Sequence, residues 1–148
     1  MRILIISDLH GKKDDLKHLI KEIDLLMVLG DCCCSLEELN VPKWIVRGNC
    51  DANFYPLEIV DNYLGKRFFL THGHHYNVKE TLNKIYYKSL EVASDYTLFG
   101  HTHIPFYSYE SGIYFINPGS FKDGYYAMLE DNDISFYHNQ KRIPMAVR

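Results

Sequence analysis

Arg2-Ile3-Leu4-Ile5-Ile6-Ser7-Asp8-Leu9-His10-Gly11 opens the chain, and its reading decides the class of fold. The run from Ile3 to Ile6 is apolar, rich in β-branched residues and free of polar alternation. That pattern belongs to a strand buried on both faces of a parallel or mixed sheet. The strand ends in a carboxylate and an imidazole two positions apart, Asp8 and His10, and this spacing predicts that both face one side of an extended segment. Within 13–23, Leu16, Leu19, Ile20 and Ile23 recur at helical spacing, and a second apolar run, Leu25 to Leu29, ends in Gly30-Asp31. Strand, helix, strand is an α/β opening in which each strand brings a carboxylate to the same edge.

The theme repeats along the chain. Trp44-Ile45-Val46-Arg47 ends in Gly48-Asn49-Cys50-Asp51. Strand-like runs at 57–60 and 67–70 flank a turn at 62–65, and the second of them delivers Thr71-His72-Gly73-His74. A helical pattern over 79–93 (Leu82, Ile85, Tyr86, Leu90) precedes Tyr96 to Phe99, which leads into Gly100-His101-Thr102-His103. The histidines of this last stretch are again two apart. Short strands are expected at 104–109, 113–116, 124–130 and 133–138, with Gly112, Gly119, Gly124 and Asp131-Asn132 as breakers. With no internal repeat, low-complexity tract or linker, residues 1–148 read as one α/β sandwich whose sheets are covered by a few helices.

Composition narrows the class further. A chain of 148 residues can bury roughly 68–70% of the surface its unfolded form exposes, enough for one core. With 47% hydrophobic and 24% charged residues, neither disorder nor a membrane span is indicated. The apolar run at Ile3–Ile6 is far too short for a signal or transmembrane segment, so a cytoplasmic protein is expected. The net charge is −3, and dispersed lysines such as Lys12, Lys13, Lys17 and Lys21 form a solvated face. Binding to long nucleic acid or to a membrane is therefore not expected. The four cysteines, Cys32, Cys33, Cys34 and Cys50, lack the spacing of a structural zinc site and read as reduced thiols, most of them small apolar packing near strand ends.

Asp8, His10, Asp31, Asn49, His72, His101 and His103 all sit just past strand ends. Any one of them is accounted for by capping or strand termination. Seven in this order are not. Mixed nitrogen and oxygen donors suit Mn²⁺, Fe²⁺, Co²⁺, Ni²⁺ or Zn²⁺ better than Mg²⁺ or Ca²⁺. Seven donors are too many for one ion and suit two ions sharing a bridging carboxylate.

The ordered set Asp8-x-His10, Gly30-Asp31, Gly48-Asn49-x-Asp51, His72 and Gly100-His101-x-His103 resembles the calcineurin-like metallophosphoesterases. The short length and Asn117-Pro118-Gly119-Ser120 resemble their small phosphodiesterase branch, and the match spans 3–120. The resemblance implies a four-layer α/β/β/α sandwich of two mixed β-sheets flanked by helices, with the metal site at the C-terminal ends of the strands. It assigns Asp8, His10, Asp31 and His103 to a first metal and Asp31, Asn49, His72 and His101 to a second, with Asp31 bridging. Mn²⁺ and Ni²⁺ are the metals it suggests. Two such ions acidify a shared water and stabilise in-line displacement at phosphorus. The expected activity is hydrolysis of a small phosphodiester, of aryl or cyclic nucleotide type, by a metal-bridging hydroxide. Asn49 would bind metal and substrate, and Asp51 would orient a neighbouring histidine or the loop.

Cys50 departs from the wider family, in which a histidine at this place contacts the phosphate and protonates the leaving group. A thiol is a poor acid for an alkoxide, so esters with good leaving groups are expected to be favoured. His74 is a candidate substitute proton donor beside Cys50 and Asn49 in the substrate site. Asn117 and Ser120 read as residues that orient ligands. An exposed subset of tyrosines at Tyr86-Tyr87 and Tyr125-Tyr126 would support a homo-oligomer. Two other functions compete: a protein-interaction scaffold of the kind exemplified by a related retromer subunit, and a phosphomonoesterase. The complete ligand set argues against the first; Cys50 and the short chain argue against the second.

Overall fold

The computed structural model of the chain describes residues 1–51 and 54–145. In order along the chain, the elements are β1 (Arg2–Ile6), α1 (Leu16–Leu19) running into a 3₁₀ turn, β2 (Leu25–Val28), β3 (Lys43–Ile45), β4 (Glu58–Tyr63) and β5 (Lys66–Thr71). A 3₁₀ turn at His74–Tyr76 then precedes α2 (Asn83–Val92) and β6 (Tyr96–Leu98). The remainder is β7 (Phe106–Glu110), β8 (Ile113–Asn117), a 3₁₀ turn at Phe121–Asp123, β9 (Tyr125–Glu130), β10 (Asp133–His138) and β11 (Lys141–Ile143).

Two mixed sheets result, one ordered β11-β10-β9-β1-β2-β3 and the other β4-β5-β6-β8-β7. In the first, β1, β2 and β3 run parallel, and β9 pairs antiparallel to β1. In the second, β5, β6 and β8 run parallel between antiparallel edges. Side-chain alternation divides the interior into three layers. Ile3, Ile5, Met27, Phe68, Leu70, Leu98 and Ile116 meet between the sheets. Leu4, Ile6, Leu26 and Val28 turn outward to Leu16 of α1, while Phe69 and Phe115 turn outward to Ile85 of α2. The β1 run is apolar throughout because both of its faces are covered, and the fold is the expected α/β/β/α sandwich.

Several local expectations change. The helix expected over 13–23 contracts to one α turn and one 3₁₀ turn, in which only Leu16 is fully buried. So short a helix depends on tertiary packing rather than on its own hydrogen bonds. The helix expected from 79 begins at Asn83 and ends at Val92, capped by Ala93, which adopts φ 56° and donates its N–H to the Leu90 and Ser89 carbonyls. The strand expected at 104–109 starts at Phe106, after Pro105, which has no N–H to donate to a ladder. β11 adds a strand beyond those the sequence pattern marks; its hairpin turns through Asn139 and Gln140, both with positive φ.

Candidate metal centre

Parallel strands align their C-terminal ends, so the loops after β1 and β2 lie side by side at one rim. The N–H of Asp8 donates to Gly30 O at 3.0 Å, and that of His10 to Asp31 O at 2.9 Å. In the second sheet Gly100 N donates to His72 O at 3.0 Å, tying the loops after β5 and β6. The two rims then meet: His101 N donates to Asp8 Oδ2 at 3.2 Å. Gly100 permits this approach, since a Cβ there would overlap Ser7 Oγ.

Asp8, Asp31 and His72 are buried at 0%, 3% and 0% exposure. His72 Nε2 lies 3.1 Å from Asp8 Oδ1 and 3.4 Å from Asp31 Oδ2. His103 Nε2 lies 3.3 Å from Asp8 Oδ1, and His10 Nε2 is 3.8 Å from Asp31 Oδ2. The His101 ring centroid is 4.9 Å from that of His72. Burial favours the neutral form of Asp8, but hydrogen bonds with His72 and from Ser7, with the charges of His72 and His103, outweigh it and hold the carboxyl below its usual range. Asn49 is exposed, between Gly48 and Cys50.

The backbone gives a second, independent signal. Asp8, His10, Asp31, His101 and His103 all have positive φ, between 48° and 70°. The expectation that each histidine or carboxylate pair shares one side of an extended segment is therefore corrected: the strands have ended, and left-handed residues aim the side chains. Such conformations cost on the order of 1 kcal/mol or more each and gather where function demands them.

The residues fit a metal. Three groups of donors lie within 4.8 Å of one another: Asp8, His10 and His103; Asp8, Asp31 and His72; and His10, Asp31 and Cys50. His10 Nε2 is buried without a hydrogen-bond partner among the described residues, an orphan that a cation would satisfy. Buried carboxylates facing imidazoles are the donor chemistry of divalent transition metals.

Other residues differ in what they do. Asp51 accepts from the N–H of Cys33 at 2.9 Å and of Gly48 at 2.8 Å, so it pins two site loops to each other and orients no histidine through these bonds. Asn117, fully buried, donates to Gly100 O at 3.1 Å and Thr102 Oγ1 at 2.9 Å, which fixes the histidine loop; Ser120 Oγ donates to Asp8 O at 3.3 Å. Cys50 N donates to Asp31 Oδ1 at 2.9 Å, and burial followed by the Asp31 charge raises its thiol, which stays protonated. Its proximity to His10 and Asp31 was not legible in the sequence, nor was the 2.7 Å hydrogen bond from Ser7 Oγ to Asp8 Oδ2. All four cysteines are free, but Cys33 and Cys50 are exposed rather than packed in the core.

His74 Nδ1 and His72 Nδ1 share a hydrogen bond of 3.1 Å. Burial, then the charges of His72, His75 and His101, lower the His74 imidazole from 6.5 to about 4. At neutral pH it is uncharged, which suits support of His72 better than donation of a proton from an imidazolium. A linkage prediction follows. The unfolded chain binds a proton between about pH 6.5 and 4 that folded His74 does not, so its contribution to stability is complete above 6.5 and lost as pH falls toward 4. Urea titrations of metal-free protein should show this slope, and His74→Gln should flatten it; an unchanged slope would assign it to other groups.

Carboxylates and imidazoles converging from the ends of parallel strands define a divalent-metal centre in an α/β sandwich. Comparison supplies the family: residues 1–133 match the calcineurin-like phosphoesterase superfamily domain, and the chain belongs to that family of metallophosphoesterases. It is 35% identical over 128 residues to the probable metallophosphoesterase YsnB of Bacillus subtilis, covering 82% of this chain and 76% of that one. Among solved structures it resembles a single mutant of Vps29 from Entamoeba histolytica (TM-score 0.82, 22% identity, 97% and 96% of the two chains). It also resembles a novel archaeal phosphodiesterase (TM-score 0.74, 22% identity, 93% and 99% covered).

Proposed function

We propose that this metallophosphoesterase is a binuclear phosphodiesterase acting on a small organic phosphodiester in the cytoplasm. The observation that carries the reading is the convergence of Asp8 and Asp31, each belonging to two of the three donor groups, with His10, His72 and His103. Asp8, His10, Asp31 and His103 would hold one ion; Asp31, Asn49, His72 and His101 the other. Bound there, two divalent cations would acidify water and offset charge on the phosphoryl oxygens.

The chain's own residues set the rest. Asp8 and Asp31 bring two negative charges, half the charge of two divalent cations, and the surplus favours an anionic phosphate over a neutral ester. Asn49, neutral and exposed, keeps that surplus and would meet substrate. Asp51, Asn117 and Ser120 hold the loops in register, and His74 supports His72. Cys50, where a cation would be useful, adds no positive charge to a leaving alkoxide. Diesters with good leaving groups are therefore favoured, as in aryl or cyclic nucleotide esters. The name of the archaeal structural relative supports diester chemistry. Free thiols throughout the described residues are in keeping with a reducing compartment.

The test is restoration of activity. Metal-stripped protein should hydrolyse bis-p-nitrophenyl phosphate about 100-fold faster when Mn²⁺, Ni²⁺ or Co²⁺ is restored, and faster than it hydrolyses p-nitrophenyl phosphate. A faster monoester would overturn the diester assignment. Binding of two ions without turnover of either ester would favour the scaffold reading, for which Vps29 is the structural relative.

A further inference from the structure

Each of the two buried carboxylates divides the work of its oxygens. Asp8 Oδ1 faces imidazole nitrogens, His72 Nε2 at 3.1 Å and His103 Nε2 at 3.3 Å. Asp8 Oδ2 instead accepts hydrogen bonds, from Ser7 Oγ at 2.7 Å and from His101 N at 3.2 Å. Asp31 is divided in the same way: Oδ1 accepts from Cys50 N at 2.9 Å, whereas Oδ2 faces His72 Nε2 at 3.4 Å and His10 Nε2 at 3.8 Å. A cation set among the imidazoles would meet one oxygen of each carboxylate. The other oxygen of each is held from behind. For Asp31 the holding donor is main chain, but for Asp8 the shorter of the two bonds comes from a side chain. Ser7 and Asp8 are both 0% exposed, so this bond lies in the interior, where a carboxylate oxygen left without a donor is costly. The backbone is anchored without the hydroxyl: Phe121 N donates to Ser7 O at 2.8 Å, and Lys122 N and Ser120 Oγ donate to Asp8 O at 3.2 and 3.3 Å. Gly100 leaves the space that the hydroxyl occupies, since a Cβ there would overlap Ser7 Oγ.

We propose that Ser7 is a positioning residue of the metal centre: its hydroxyl holds Asp8 Oδ2, so that Oδ1 alone is presented to a divalent cation on the side of His72 and His103. The inference rests on the metal-centre reading of the donors and goes beyond it, since Ser7 is itself no ligand. The last torsion of an aspartate side chain is soft and roughly two-fold. Without the hydroxyl, Asp8 is free to offer either oxygen, or both, and the ion it holds loses a fixed partner. Groups that orient a metal ligand from behind change metal affinity by about 10- to 100-fold.

The experiment is a calorimetric titration of Mn²⁺ into the metal-free parent and into Ser7→Ala, which removes a single oxygen atom. The parent is expected to take two ions. Ser7→Ala should weaken the ion assigned to Asp8 about 10- to 100-fold and leave the affinity of the other unchanged. Gly100→Ala should weaken the same ion by pushing the hydroxyl off Asp8. The two substitutions together should cost less than the sum of their separate effects, since Ser7→Ala removes the oxygen that the new Cβ meets. A hydroxyl with a purely structural role gives a different result: metal-free Ser7→Ala melts lower, yet both ions bind as tightly as in the parent. That result, an equal loss of both ions, or full additivity with Gly100→Ala would overturn the positioning role. Infrared difference spectra on adding Mn²⁺ test the oxygen assignment in the parent itself. The wide separation of antisymmetric and symmetric carboxylate stretches that marks coordination through one oxygen is expected there, and it should narrow in Ser7→Ala. A narrow separation in the parent would overturn the assignment to Oδ1. Failure of the parent to bind Mn²⁺ at all would overturn the metal-centre reading instead, a result distinct from each of these.

Discussion

Asp31→Asn is expected to reduce diester turnover about 10³-fold and to abolish tight binding of at least one metal ion. Asp31 is 3% exposed, and its carboxylate faces His72 Nε2 at 3.4 Å and His10 Nε2 at 3.8 Å. The amide keeps the shape but removes the negative charge, and truncating one partner of a buried charge pair at a binding site costs about 3–5 kcal/mol of binding free energy. That range corresponds to about 10²- to 10⁴-fold in affinity. Metal-free protein should respond differently. Two buried carboxylates that both border His72 repel each other, so the variant should unfold at the same temperature as the parent or above it, while the stabilisation conferred by added metal is lost. Metal analysis, turnover and thermal unfolding on one preparation separate these effects. Retention of both ions with full activity would remove Asp31 from the centre.

Gly48→Ala should be severely damaging for the addition of a single methyl group. Its Cβ would overlap Asp31 Oδ1 and also the backbone nitrogen of Asp31, which no side-chain rotation can move aside. The Gly48 loop is held on its other side by Asp51, which accepts its N–H at 2.8 Å, so relief requires displacing Cys50 and Asn49 as well. A cost of about 3 kcal/mol is expected, lowering the melting temperature by roughly 6–12 °C. Turnover should fall about 100-fold even where the protein remains folded, because a shift of about 1 Å at a catalytic constellation has that effect. A variant with unchanged stability and activity would show that the loop carries no positional constraint on Asp31.

Much of the centre was legible in sequence because local rules encode it. An unbroken apolar run such as Ile3–Ile6 announces a strand covered on both faces, and the first polar residues after it mark the strand end. Repeating that pattern at Gly30-Asp31, Thr71-His72 and Gly100-His101 marks the candidate donors in order. The same rules misjudged the conformation of the donors. Period-two reasoning holds inside a strand, whereas Asp8, His10, His101 and His103 lie beyond it with left-handed backbones, a state imposed by hydrogen bonds between loops such as His10 N to Asp31 O. The role expected of His74 also depended on what surrounds it. Two residues from His72 in sequence, it turns into a 3₁₀ segment and shares its Nδ1 with that ring.

The sequence by itself determined the α/β class, the order of the candidate donors and their nitrogen and oxygen chemistry, since periodicity and strand termination are properties of neighbouring residues. It also carried the family, through five motifs whose spacing is readable without coordinates. Only the tertiary structure decided which donors meet. Asp8 and His103 are separated by most of the chain yet lie 3.3 Å apart, because parallel pairing within each sheet and packing between the sheets bring four strand ends to one rim. The placement of Cys50 against Asp31, the pinning of two loops by Asp51 and the space at Gly100 for the Ser7 hydroxyl were decided at the same level. Each is a contact between segments remote in sequence, fixed by sheet order and loop geometry, for which no local periodicity exists.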